Sequence, residues 1–147
     1  MSNLDLVNDS FLSMQACQIF HKIYEIFIDS EFIDKDSYLC LKLVNSGKIE
    51  EYNKRYRGND MQTDVLSFPS EFKQTGFLGD MIIDVTVAEK QRGNKNLQEE
   101  LAELFIHGFL HLLGYDHLKK DDKKIMNKQE EYLKKHIFEK GLIPWTD

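Results

Sequence analysis

Between Glu103 and His117 the chain reads E-L-F-I-H-G-F-L-H-L-L-G-Y-D-H, which places His107, His111 and His117 within one short segment. The first two stand four apart in an apolar run that carries no helix breaker between Leu97 and Phe105, and this predicts a helix. On a helix, positions i and i+4 lie about 40° apart around the axis and about 6 Å along it, so two imidazoles can reach one ion. Gly114 falls where a left-handed cap commonly ends a helix, and the turn it permits would return His117 toward the pair. One histidine on an apolar helix is most often an ordinary core or surface residue. Three at this spacing point to a metal site.

The run H-x-x-x-H-x-x-G-x-x-H keeps every ligand and glycine position of the long zinc-protease pattern H-E-x-x-H-x-x-G-x-x-H, in which three imidazoles bind Zn²⁺ and leave a position for water. Gly108 stands where that pattern has its glutamate general base. Peptide hydrolysis is therefore disfavoured. A metal held here can still act as a Lewis acid on a phosphoryl or carbonyl oxygen.

The chain has 147 residues, enough for one domain with its own core, and residues 1–147 are read as a single domain. Cys17 and Cys40 sit in apolar surroundings without C-x-x-C spacing and read as buried thiols of a reducing compartment. The N-terminus lacks a basic region followed by an apolar core, and no apolar run approaches a membrane span, so the expectation is a cytoplasmic protein with no membrane partner. Net charge is −6, with the acidity concentrated in the first 39 residues. The middle of the chain, with Lys48, Lys54, Arg55, Arg57, Lys90, Arg92 and Lys95, can offer phosphates a local basic surface.

Alternation over Leu4, Leu6 and Val7 predicts a strand ending near Asn8 and Asp9, after which Ser10 or Ser13 can cap a helix over Ala16 to Ile28. His21 in that helix reads as an ordinary surface or boundary residue. A strand is expected over Ser37 to Val44, a short helix over Ile49 to Tyr56, a turn at Arg57 to Asp60 and a brief strand over Thr63 to Pro69. Gly79 to Val87 reads as one strand covered on both faces, with Asp84 on a polar sheet face. Asn96, with Glu99 three residues on, predicts a capping box for the histidine helix. Ile125, Met126, Gln129, Tyr132, Leu133 and Ile137 form the stripe of a last helix ended by Gly141 and Pro144. The expected fold is α+β, a mixed sheet of about four strands with packed helices and a central metal-binding helix of zincin-like pattern.

The histidine block, preceded by Tyr56-Arg57-Gly58, by Thr63-Asp64-Val65-Leu66-Ser67-Phe68-Pro69 and by Leu78-Gly79-Asp80, resembles the YbeY family of bacterial endoribonucleases and ribosomal RNA maturation factors. The clear resemblance runs from about Leu43 to Leu133. It implies that His107, His111 and His117 ligate one Zn²⁺ and that Arg57 faces the metal cleft as the catalytic basic residue. It also implies metal-dependent cleavage of single-stranded RNA in ribosomal RNA precursors, including 16S rRNA 3′-end maturation, and ribosome quality control with small-subunit proteins and an associated GTPase. The chain departs from the family in the short loop between Pro69 and Leu78 and in the lysine-rich stretch after His117.

Asp116 and Glu103 are the carboxylates nearest the histidines in the chain, and both are candidates for orienting an imidazole N–H. Two rival readings stand beside the nuclease: a non-catalytic ribosome-assembly factor with a structural zinc, and a metallohydrolase of another substrate.

Overall fold

The computed structural model describes residues 3–45, 65–115 and 119–142. The helix expected over Ile49 to Tyr56, the turn at Arg57, and the residues Asp116 and His117 lie outside the described residues.

The chain opens with β1 (Leu4–Asp9) and α1 (Met14–Asp29). Ser13 is the cap of that helix: its backbone is extended and its Oγ accepts from the Ala16 N–H at 3.0 Å. There follow β2 (Tyr38–Val44), β3 (Val65–Pro69), a 3₁₀ turn (Lys73–Thr75) and β4 (Phe77–Asp84). The sheet order is β1-β2-β4-β3; β1, β2 and β4 run parallel, and β3 is antiparallel to β4. This is the mixed four-stranded sheet of an α+β fold.

β4 begins at Phe77 and ends at Asp84, so the strand expected over Gly79 to Val87 stops three residues early. Val85–Gln91 is a helix, α2. The cause is Asp84, whose carboxylate accepts from the Val87 N–H at 3.0 Å and turns an unbroken apolar run from strand into helix. Asp84 is fully buried, so it lies on no polar sheet face. No glycine or proline marks the junction in the sequence.

Period-two alternation sets the layers. Leu4, Leu39, Leu41, Leu43, Met81, Ile83 and Val65 are buried, and the strand register aligns Leu4 with Leu39, Leu41 with Met81, and Leu43 and Val65 with Ile83 on one face. Onto that core pack α1 and the histidine helix α3 (Leu97–Leu112), joined by a ring cluster. Phe27 stacks on Phe109 at 3.8 Å between centroids, and Phe105 meets Phe20 and Phe27 at 5.3 Å each. The last helix, α4 (Lys120–Glu139), lays Met126, Leu133 and Ile137 into the same core. Asp121 and Asp122 occupy its first turn, as the helix dipole favours. Ile125 and Tyr132 of the expected stripe are instead exposed.

Cys17 is buried as expected, but Cys40 is only half-buried. It sits on the opposite face of β2, beside Asp5 of β1 and Asp80 of β4 in the strand register.

Candidate metal centre

α3 is capped by Asn96, whose Oδ1 accepts from the Glu99 N–H at 2.8 Å. Most of the helix is buried, and Glu103, His107 and His111, spaced four apart, form a partly exposed stripe along it. At its end Gly114 has φ +102°, the left-handed conformation that glycine adopts without strain. The Gly114 N–H bonds to the His111 carbonyl and the Tyr115 N–H to the Leu110 carbonyl, each at 3.0 Å. Those two bonds make a Schellman motif and turn the chain sharply just before the segment that carries His117.

The His107 and His111 rings lie edge to face with centroids 4.7 Å apart, and their Nε2 atoms stand 3.2 Å from each other. Two imidazole nitrogens on one tetrahedral zinc, each at about 2.0–2.1 Å, are separated by about 3.3 Å. The pair therefore fits two ligands of one ion. The same spacing suits a hydrogen bond between two neutral rings, so their own contact can hold them in ligand geometry. Among the described residues no third histidine, cysteine or carboxylate completes a metal-binding group with them.

Gly108 has a structural reason. A Cβ built there would stand 2.7 Å from Met81 Sδ and 3.0 Å from Ser67 Oγ, because this side of α3 lies directly on β3 and β4. The position that carries a general base in the zinc proteases here faces the sheet, where an added side chain would have to displace the Met81 thioether and the Ser67 hydroxyl.

Glu103 is bound by lysines from two segments of the chain. Its two oxygens are held by Lys95 Nζ at 2.7 Å and Lys134 Nζ at 3.2 Å, and Lys95 also grips the buried Glu100 at 2.6 Å. Burial pulls both lysines down in pKa, but the glutamates outweigh it and raise them above the ordinary lysine value. Lys95 is thus engaged within the protein, and Arg92 Nη1 donates to the Lys95 carbonyl at 2.7 Å.

Among the described residues, a carboxylate that approaches His107 is Glu130 of α4, with Oε1 3.6 Å from His107 Nδ1. Sequence reasoning passed it over. The available signal was its position: it lies four residues after Met126 and three before Leu133, a charge inside an otherwise apolar helical stripe. Lys134, one turn further on, meets Glu103, one turn before His107, so two polar pairs align α4 with α3.

Comparison with known proteins extends over almost the whole chain. Residues 7–137 match the family described as endoribonuclease YbeY. An endoribonuclease YbeY of Mycoplasma capricolum is 37% identical over 145 residues, covering 91% of this chain and 88% of its own. One from Pelagibacter ubique is 35% identical over 148 residues, covering 93% and 97%. A solution structure of a Thermotoga maritima protein superposes with a TM-score of 0.59 at 25% identity, covering 95% of this chain and 94% of that one. Fold and relatives together define the class: an α+β enzyme of the nuclease hydrolases. The chain belongs to the endoribonuclease YbeY family.

Proposed function

We propose that residues 1–147 form one catalytic domain, a zinc-dependent endoribonuclease that cuts single-stranded regions of ribosomal RNA precursors, the 3′ end of 16S rRNA included. His107, His111 and His117 hold one Zn²⁺ in this reading, and Arg57 binds a phosphate oxygen beside it. The observation that carries it is the 3.2 Å approach of the two Nε2 atoms on a helix that, Glu103 apart, is otherwise buried from Glu99 to Leu112. Docking to small-subunit proteins and an associated GTPase, in the cytoplasm, belongs to the same reading. Among the described residues no helix is long and apolar enough to cross a membrane.

A zinc bound by three neutral imidazoles keeps its double positive charge and supplies electrostatic stabilisation to charge that develops on phosphate oxygens. Three tasks fall to the protein. His107 and His111 would bind through Nε2 atoms that stand 3.2 Å apart, the planar guanidinium of Arg57 would orient the phosphodiester through two oxygens, and Gly108 leaves the helix seated against the sheet. With no glutamate at Gly108 to take a proton, two nucleophiles fit: water, or the RNA's own 2′-hydroxyl. Asp116 remains a candidate to orient an imidazole, whereas the Glu103 oxygens are committed to two lysines.

The test is the chemistry of the cut ends. Incubation of a precursor RNA with the zinc-loaded protein should give discrete internal cuts, with 2′,3′-cyclic phosphates if the 2′-hydroxyl attacks and linear ends if water does. Arg57→Ala should keep its zinc and lose turnover. Intact RNA together with retained binding to small subunits would favour a non-catalytic assembly factor, and cleavage of peptides would favour another metallohydrolase.

A further inference from the structure

His107 presents two ring nitrogens to two different groups. Nε2 faces His111 Nε2 at 3.2 Å, while Nδ1 faces the Glu130 carboxylate at 3.6 Å. The geometry points to Glu130 as a positioning residue that holds His107 with its proton on Nδ1 and leaves the Nε2 lone pair directed at the ion. The inference rests on the reading of His107 as a metal ligand.

Three observations converge on it. The first is tautomer chemistry. A neutral imidazole carries its proton on one nitrogen or the other, and only the Nδ1–H form offers Nε2 as a ligand. A carboxylate at Nδ1 accepts that proton's hydrogen bond and favours this form, as carboxylates behind zinc-bound histidines do.

The second is placement. Glu130 belongs to the stripe of α4 that turns inward with Met126, Leu133 and Ile137, and its side chain is 24% exposed; the adjacent Glu131 side chain is 75% exposed. A charge is costly on an inward stripe unless a partner compensates it, and the His107 ring supplies one.

The third is the alignment of the two helices. Lys134 and Glu103, one turn away at 3.2 Å, fix α4 against α3, so the approach of Glu130 to His107 does not depend on a loop. A hydrogen bond from Nδ1–H takes about 2.7–3.2 Å, and closing the observed gap requires a movement of under about 1 Å, within the reach of a glutamate side chain.

The experiment uses the full-length chain and two readouts. Zinc affinity is measured by competition with a chromophoric chelator for wild type, Glu130→Ala, Glu130→Gln and, as control, Glu131→Gln. The His107 tautomer is measured in the zinc-free proteins by long-range ¹H–¹⁵N correlation. Glu130→Ala should bind zinc about 10–100-fold more weakly. Glu130→Gln should lose less, because its amide oxygen still accepts from Nδ1–H, and Glu131→Gln should match wild type. His107 should be chiefly Nδ1–H in wild type and mixed in Glu130→Ala. If the alanine variant does not fold, Glu130→Gln, which keeps the shape of the side chain, carries the comparison. A folded Glu130→Ala with wild-type zinc affinity and tautomer overturns the inference while the zinc reading stands. If wild type takes up no zinc, the metal reading fails and the tautomer decides alone: a difference between the proteins upholds the Glu130 role, and identity rejects it.

Discussion

Ser67 Oγ, on β3, donates a hydrogen bond to the carbonyl oxygen of Gly108 on α3 at 3.1 Å. The bond ties the sheet to the residue immediately after His107. It shows the histidine helix lying against the sheet along its glycine side, with its imidazoles on another side. The replacement of the protease glutamate by glycine is thus a packing requirement as well as a chemical departure, since the space a side chain would need is filled by Met81 and Ser67.

Adding a methyl group at Gly108 should therefore strain the helix–sheet contact. We expect Gly108→Ala to lower stability by about 1–3 kcal/mol, softened because the Met81 side chain can shift. Gly79→Ala should cost more, about 3 kcal/mol or above, since φ is +140° there and the new Cβ would stand 2.4 Å from the Phe68 carbonyl oxygen. Urea unfolding of both variants checks the order; a Gly79→Ala midpoint equal to that of wild type contradicts the described approach of β3 to β4.

The Lys95 and Lys134 cluster predicts a pH dependence of definite sign. Both lysines are raised in the folded state, where the glutamates outweigh the loss of solvation, so each contribution is fully present below the unfolded lysine pKa of about 10.4 and is lost as pH rises through the folded value. The stability difference between wild type and Lys95→Met should be constant from neutral pH to about 10 and shrink above it. A difference that grows with alkaline pH contradicts the cluster.

Much of this was legible in the chain because it is local. Alternating leucines mark β1 and β2, the Ser10 and Ser13 pair and Asn96 mark helix starts, and Gly114 marks the end of α3, each through a pattern or bond spanning five residues or fewer. What the chain concealed lies in contacts between distant segments or at unpunctuated junctions. Asp84 ends β4 without a glycine or proline, since its carboxylate does the turning. Glu103 looks like a partner for histidines four residues away but is drawn off by Lys134, 31 residues along the chain. Glu130 reaches His107 only because α4 folds back on α3. Cys40 alternates with buried leucines yet stays half-buried, because its side of the strand is the less covered face of the sheet.

That same cysteine should be chemically quiet. Burial first, then the Asp80 and Asp5 carboxylates, push its thiol up to about 11. At pH 8 such a thiol holds about 100-fold less thiolate than an ordinary one, and its alkylation by iodoacetamide should slow in proportion. Asp80→Asn should speed it. Site-resolved mass spectrometry reads the rate, and reaction as fast as that of free cysteine contradicts the carboxylate arrangement.

The most direct test of the account joins metal content to cleavage in one preparation: zinc per chain and internal cutting of a ribosomal RNA precursor, for wild type beside His111→Ala. The account predicts about one zinc per wild-type chain with discrete cuts, and a folded variant that loses both. A folded His111→Ala that still cuts the RNA at the wild-type rate would contradict the claim that the paired imidazoles of α3 form the catalytic centre.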